Sequence, residues 1–225
     1  MRGVGLLSRL WRGRPERVSA LDGYARWAPM YPAQVHNPLM EAEASVVGPI
    51  ILAIAPCRAL DVGTGTGRNL ELLREAGASF VAGVDLSPSM LGRCADRFPR
   101  VQGDAQWLPF RSCSFDLVCS SLMCGDVPDL DAWVGEATRV LAGGGYLVYS
   151  DFHPSWSAAG WRRRFTGDDG RRYELPFFPH AIDEHLRVLE RHGLAVRAIR
   201  EPRTPGRTAP VVVVLHAVKP ASSRA

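Results

Sequence analysis

Lysine is almost missing from this chain. Lys219 is its single occurrence in 225 residues, and arginine makes up the rest of the 27 basic side chains that stand against 23 acidic ones. We read so one-sided a bias as coding composition rather than ligand choice. Arginines cluster at Arg2, Arg9, Arg12, Arg14 and Arg17, and again at Arg162, Arg163, Arg164, Arg171 and Arg172. Neither cluster has aromatic interleaving or a nucleic-acid motif, so solvated surface is expected and a nucleic-acid partner is not. "LLSRLWRGRPER" reads as a frayed basic helix rather than a membrane-docking one. Long apolar runs are lacking too: nothing approaches the roughly 18 residues of a membrane span. The start has neither the apolar centre nor the small-residue cleavage site of a secretory leader, which leaves a cytoplasmic location as the expectation. The five cysteines form no CxxC pair and no Cys/His set at zinc spacing, so neither a disulfide framework nor a metal is expected.

What is present is 46% hydrophobic composition, enough for one sizeable core. From Arg58 onward short apolar runs alternate with helical patterns, the signature of a parallel sheet covered on both faces. The expected strands are 58–62, 79–85, 100–103, 115–121 and 145–151, with two more near "LAVRAIRE" and "PVVVVLHAV". A helix starts at Asn37. Ser87 caps another that begins at Pro88 and carries Met90, Leu91, Cys94 and Phe98. A third carries Leu130, Trp133, Ala137, Val140 and Leu141 and stops at Gly143–Gly145. The stretch 152–180 shows no period and reads as a lid or substrate cover. We expect a single domain over 1–225, with an N-terminal helical cap (1–45), a cofactor-binding core (46–151), the lid (152–180), and a last helix with two strands (181–218).

"DVGTGTGRN", Asp61 to Asn69, is a glycine turn between strand and helix, where nucleotide ligands bind. No Gly-Lys-Ser/Thr ending follows Gly67, which excludes the triphosphate pattern. Gly63, Gly65 and Gly67 are spaced G-x-G-x-G rather than G-x-G-x-x-G, which argues against a dinucleotide oxidoreductase. Asp61 would repel a pyrophosphate and attract an ammonium. Asp85, ending the next strand, is placed to accept both ribose hydroxyls, and Asp104 to accept an adenine amino group.

"ALDVGTGTGRNLELL", "GVDLSPSML", "GDAQWLPF", "SFDLVCSSL" and "RVLAGGGYLVYSDFHP" resemble, in order, the motifs of class I S-adenosylmethionine-dependent methyltransferases, especially the type 11 group. The resemblance spans about Asn37 to Pro154. It implies a Rossmann-like α/β fold with helices on both faces of seven strands ordered 3-2-1-4-5-7-6, the last antiparallel. It further implies S-adenosylmethionine as cofactor, held by Asp61, Gly63, Thr64, Gly65, Gly67, Asp85, Leu86, Asp104, Ala105 and Ser120, with Tyr24 and Tyr31 closing over it. The group often carries histidine where this chain has Gly125 or Asp126.

The acceptor is expected to be a small organic molecule methylated on oxygen, with a quinone-type ring carbon or a carrier-bound acid as alternatives. A non-catalytic cofactor-binding module is the reading from another class. Transfer needs orientation above all, and a hydroxyl acceptor also wants a base. His153, after the fifth strand, is the first candidate for that base, or else it shapes the lid. Asp126 orients the acceptor, acts as a base, or caps the chain before Pro128. Trp156, Trp161, His180 and His185 are candidates for the acceptor pocket, the two histidines equally for packing.

Overall fold

The computed structural model describes residues 14–221, so Arg2, Arg9, Arg12 and most of the basic N-terminal stretch lie outside it. In chain order the elements are β1 Glu16–Arg17, α1 Ala20–Trp27, α2 Pro38–Ile54, β2 Arg58–Val62, α3 Arg68–Glu75, β3 Phe80–Asp85, α4 Pro88–Leu91, β4 Arg100–Gln102 and β5 Phe115–Ser120. There follow α5 Leu130–Val140, β6 Leu141–Phe152, α6 Ser155–Ala158, β7 Arg164–Thr166, β8 Arg172–Glu174, α7 Ile182–Arg191, β9 Ala195–Arg200 and β10 Val212–Val218. Seven strands form one sheet in the order β4-β3-β2-β5-β6-β10-β9, and β10 runs antiparallel to both its neighbours. Numbered along the chain, these seven strands give the expected order 3-2-1-4-5-7-6.

The period-two alternation of strands sets the two layers. Adjacent Ala59 and Leu60 point to opposite faces: Leu60 packs with Trp133 of α5 and Leu189 of α7, while Ala59 packs with Ile51 of α2 and Leu73 of α3. Each such large apolar side chain, taken from water, contributes about 1.5 to 3 kcal/mol. The helices begin where their capping residues stand: Asn37 accepts from the Met40 amide, Ser87 from Met90 and Asp129 from Ala132. The lone lysine closes an end instead. Lys219 Nζ donates to the carbonyls of Thr138 and Leu141 at 2.8 and 2.7 Å, placing a cation on the C-terminus of α5.

Three local expectations are corrected. The helix after Ser87 stops at Leu91, because the Arg93 and Cys94 amides bond to carbonyls only three residues back and the chain tightens out of the α geometry; Cys94 and Phe98 are buried all the same. β6 begins at Leu141, directly on α5, and the glycines lie within it. Pairing with β5 jumps from Leu141↔Phe115 to Tyr146↔Leu117, so Ala142–Gly145 bulge out and Gly144 takes φ +83°. The stretch 152–180 is not structureless: β7 and β8 form a hairpin, and β1 adds to β8 to make a second sheet ordered β1-β8-β7. Phe165, Tyr173 and Leu175 fill its underside against Val18, Tyr24 and Trp27. Asp169-Gly170 between two runs that alternate apolar and polar residues was the signal for that hairpin.

Candidate active site

A cavity of about 490 Å³ opens beyond the C-terminal ends of β2, β3 and β5, roofed by α1 and the lid. That is an ordinary size for a small-molecule site. Its floor is the glycine turn. Gly63 and Gly65 take φ +68° and +56°, a conformation other residues adopt only with strain. A Cβ at Gly63 would also stand 2.5 Å from Met123 Cγ. The Gly63 and Thr64 amides donate to the Val84 carbonyl, fastening the turn to β3.

Asp85 is the central acid. Its carboxylate accepts from the Gly65 amide at 2.7 Å and the Ser87 amide at 2.8 Å, and it lines the cavity. Burial pushes its pKa up to about 6, against the pull of those two amides. Asp104 also lines the cavity and accepts from the amide and side chain of Gln106, at 2.9 and 3.2 Å. Thr64, Leu86 and Ala105 complete this end, with Leu86 exposed at the rim.

Three expected contacts lie elsewhere. Asp61 is buried under the turn, where it accepts from Thr64 Oγ1, Asn69 Nδ2 and Cys119 Sγ at 2.8, 3.2 and 3.4 Å, and it does not line the cavity. Burial raises its pKa, and the bonds from Thr64 and Asn69 oppose the rise. Its carboxylate braces the turn rather than facing a ligand. Gly67 is the N-cap of α3 at φ +86°, where a Cβ would stand 2.7 Å from Cys94 Sγ, and it does not line the cavity. Ser120 is buried in β5, and its neighbour Ser121 lines the cavity instead, as alternation along a strand requires.

Tyr24, Tyr31, Trp156, Trp161 and Asp126 line the opposite end. It also holds Arg163, which the arginine-run reading assigned to solvent. Arg163 is buried, donates to Asp126 Oδ1 at 2.6 Å and to the Tyr24 hydroxyl at 2.5 Å, and Tyr24 donates on to Asp126 Oδ2 at 2.7 Å. Burial works against the charge on Arg163, but Asp126, Tyr24 and Tyr31 together outweigh it and raise the pKa. Burial pushes the Tyr24 hydroxyl well up as well, Arg163 opposing. Exposed Arg162, buried Arg163, exposed Arg164 and buried Phe165 alternate as a strand does. Recognising β7 would have pointed Arg163 inward.

The three histidines are placed outside the cavity wall. His153 turns away: Nδ1 is 2.7 Å from Ser155 Oγ and Nε2 is 2.9 Å from Glu201. Both ring nitrogens are thus engaged beyond the cavity, an arrangement that does not favour the base reading over lid support. His180 is buried against the Val127 carbonyl at 2.9 Å, and His185 against Tyr149 Oη at 3.1 Å. Both are packed, hydrogen-bonded residues and not pocket lining.

The donor set suits S-adenosylmethionine better than a polyphosphate. Two carboxylates face the cavity beside a backbone-lined turn, and the basic residue at that turn, Arg68, is held by Glu43 at 3.0 Å. The family described as methyltransferase domain matches residues 60–149. A malonyl-[acyl-carrier protein] O-methyltransferase of Dechloromonas aromatica is 36% identical over 169 residues, 74% of this chain and 62% of that one. A demethylmenaquinone methyltransferase of Tropheryma whipplei is 36% identical over 124 residues, 52% and 49% of the two chains. The chain thus spans between about half and three fifths of the length of these curated relatives. An S-adenosylmethionine-dependent methyltransferase structure from Mesorhizobium loti superposes with a TM-score of 0.60 at 26% identity, covering 75% of this chain and 95% of that one. With the strand order, the glycine turn and the two acids beside it, these matches make the chain similar to class I S-adenosylmethionine-dependent methyltransferases and support that assignment.

Proposed function

We propose that this chain moves the methyl group of S-adenosylmethionine to oxygen on a small organic acceptor. The observation that carries the cofactor half is Asp85: a half-buried carboxylate at the end of β3, fixed by the Gly65 and Ser87 amides and facing the cavity. In this reading its remaining lone pairs accept the ribose hydroxyls, Asp104 and Ala105 meet the adenine, and Gly63 to Gly65 lie along the methionine portion. Tyr31 and Trp27, packed edge to face at 5.0 Å, close the roof. The bound cofactor supplies an activated methyl on a sulfonium. The chain supplies orientation and the exclusion of water, which together are worth on the order of 7 to 11 kcal/mol.

Oxygen as the acceptor atom is supported by the relative whose name is malonyl-[acyl-carrier protein] O-methyltransferase. The relative named for demethylmenaquinone keeps a quinone-type ring as the second acceptor reading. Calorimetry separates the cofactor reading from its rival: S-adenosylhomocysteine binds and NAD does not. The reverse result ends the methyltransferase assignment.

A further inference from the structure

We propose that the acceptor is a carboxylic acid, bound as its carboxylate and anchored by Arg163. This rests on the methyltransferase reading and narrows it to one substrate class. Arg163 is 8% exposed yet lines the cavity. A guanidinium carries five N–H donors. Nη1 donates to Asp126 and Nη2 to Tyr24, which engages two of the five. Because the side chain borders the cavity, its remaining N–H groups are open to a ligand there.

The geometry selects a flat anion. The guanidinium lies 5.4 Å from the Tyr24 ring centroid and 5.3 Å from that of Phe152, which fixes its position and presents a rigid fork. Such a fork matches the two oxygens of a carboxylate. Trp156, Trp161 and Phe152 stand within 6.4 Å of one another beside it and offer an apolar wall to the rest of the acid. Charge closes as well: the acid's negative charge and that of Asp126 meet Arg163 and the sulfonium of the cofactor.

An ionised acid also removes the need for a base, and this site offers a poor one. Asp126 already accepts from Arg163 and Tyr24. His36, exposed at the rim, has Nδ1 on the Gln34 carbonyl. In the transfer, a carboxylate oxygen forms its bond to the methyl carbon as the carbon–sulfur bond breaks, and the bonding pair stays on sulfur as a neutral thioether. No proton moves. The product ester has lost the charge that held it to Arg163, which favours its release.

The test is binding, read with S-adenosylhomocysteine present. Straight-chain acids from hexanoate to dodecanoate and their methyl esters are titrated into the whole chain by calorimetry. Expected is a preference of about tenfold or more for acid over ester in the wild type, and its loss in Arg163→Gln, whose S-adenosylhomocysteine binding serves as the control for folding. If that variant does not fold, the acid-to-ester comparison in the wild type decides alone. Equal affinity for acid and ester, or binding of neither while S-adenosylhomocysteine binds, overturns the carboxylate assignment and leaves the methyltransferase reading standing. Failure to bind S-adenosylhomocysteine overturns that reading itself.

Discussion

The two walls of the cavity are built by different means. On the cofactor side the decisive contacts are local and use backbone donors: the Gly65 amide reaches Asp85 across 20 residues, and the Ser87 amide reaches it across two. On the acceptor side they join side chains far apart in sequence, Tyr24 to Asp126 over 102 residues and Arg163 to Tyr24 over 139. The first wall is a property of one strand-turn-helix unit. The second exists only when the N-terminal helix, the loop after β5 and the lid have all arrived. A change on the first wall should therefore strike binding, and a change on the second should strike local order.

The largest expected effect is on the cofactor wall. If Asp85 holds the ribose as proposed, Asp85→Ala removes two charge-assisted hydrogen bonds, each worth about 1.5 to 3 kcal/mol, and should weaken S-adenosylhomocysteine by about a hundredfold or more in calorimetry. Folding should not suffer. Burial raises this acid from 3.8 to about 6, so its ionisation opposes folding. Its contribution to stability is present below its ordinary value and lost as pH rises through about 6. The bound is near 3 kcal/mol at neutral pH. The variant should then melt at the same or a higher temperature at pH 7.5, an advantage that disappears at pH 4. Wild-type cofactor affinity should fall as the pH is lowered through about 6. A variant that binds normally but unfolds early would mean that the two walls are not distinct.

Asp126→Ala tests the other wall. It leaves the Arg163 charge buried without its carboxylate, a loss of about 3 kcal/mol by the measure of broken buried pairs. Hydrogen exchange should show the damage concentrated in α1, β7 and β8, with the main sheet protected as before. Uniform loss of protection would deny the lid its independence. Tyr24→Phe is the gentler version: it removes the hydroxyl that bridges Arg163 and Asp126 and keeps the ring, at a cost of about 1 kcal/mol in the same exchange experiment.

The same contrast governs how much was legible in the sequence. Strand order, the glycine turn, Asp85 and Asp104 follow from local pattern, because each lies at the end of a strand whose alternation is visible. The direction of the Asp61 side chain is not legible: three donors under the turn compete for its carboxylate, and nothing in linear order shows them. Ser120 was missed by one position, which on a strand is the opposite face. Arg163 is hidden because it directly precedes a short hairpin whose strands are too brief to show a period. Its partners Tyr24 and Asp126 were each suspected of a role in the site, but no spacing rule joins residues so far apart.

His153 supplies the smallest expected effect and the sharpest check on that lesson. Position alone, just past the C-terminal end of β6, made it the natural base. The structure sets its ring between Ser155 and the half-exposed Glu201, outside the cavity. A hydrogen-bonded pair of that exposure is worth under about 1 kcal/mol. His153→Ala should therefore leave S-adenosylhomocysteine affinity unchanged and turnover within about twofold, with a loss of stability no larger than the pair itself. Glu201→Gln should reproduce that small loss, and the double variant should add little to either, since both changes remove one contact. A turnover deficit in His153→Ala much larger than in Glu201→Gln would show that the imidazole reaches the acceptor after all. The acceptor would then be one that must give up a proton, and the carboxylate assignment would fall with it.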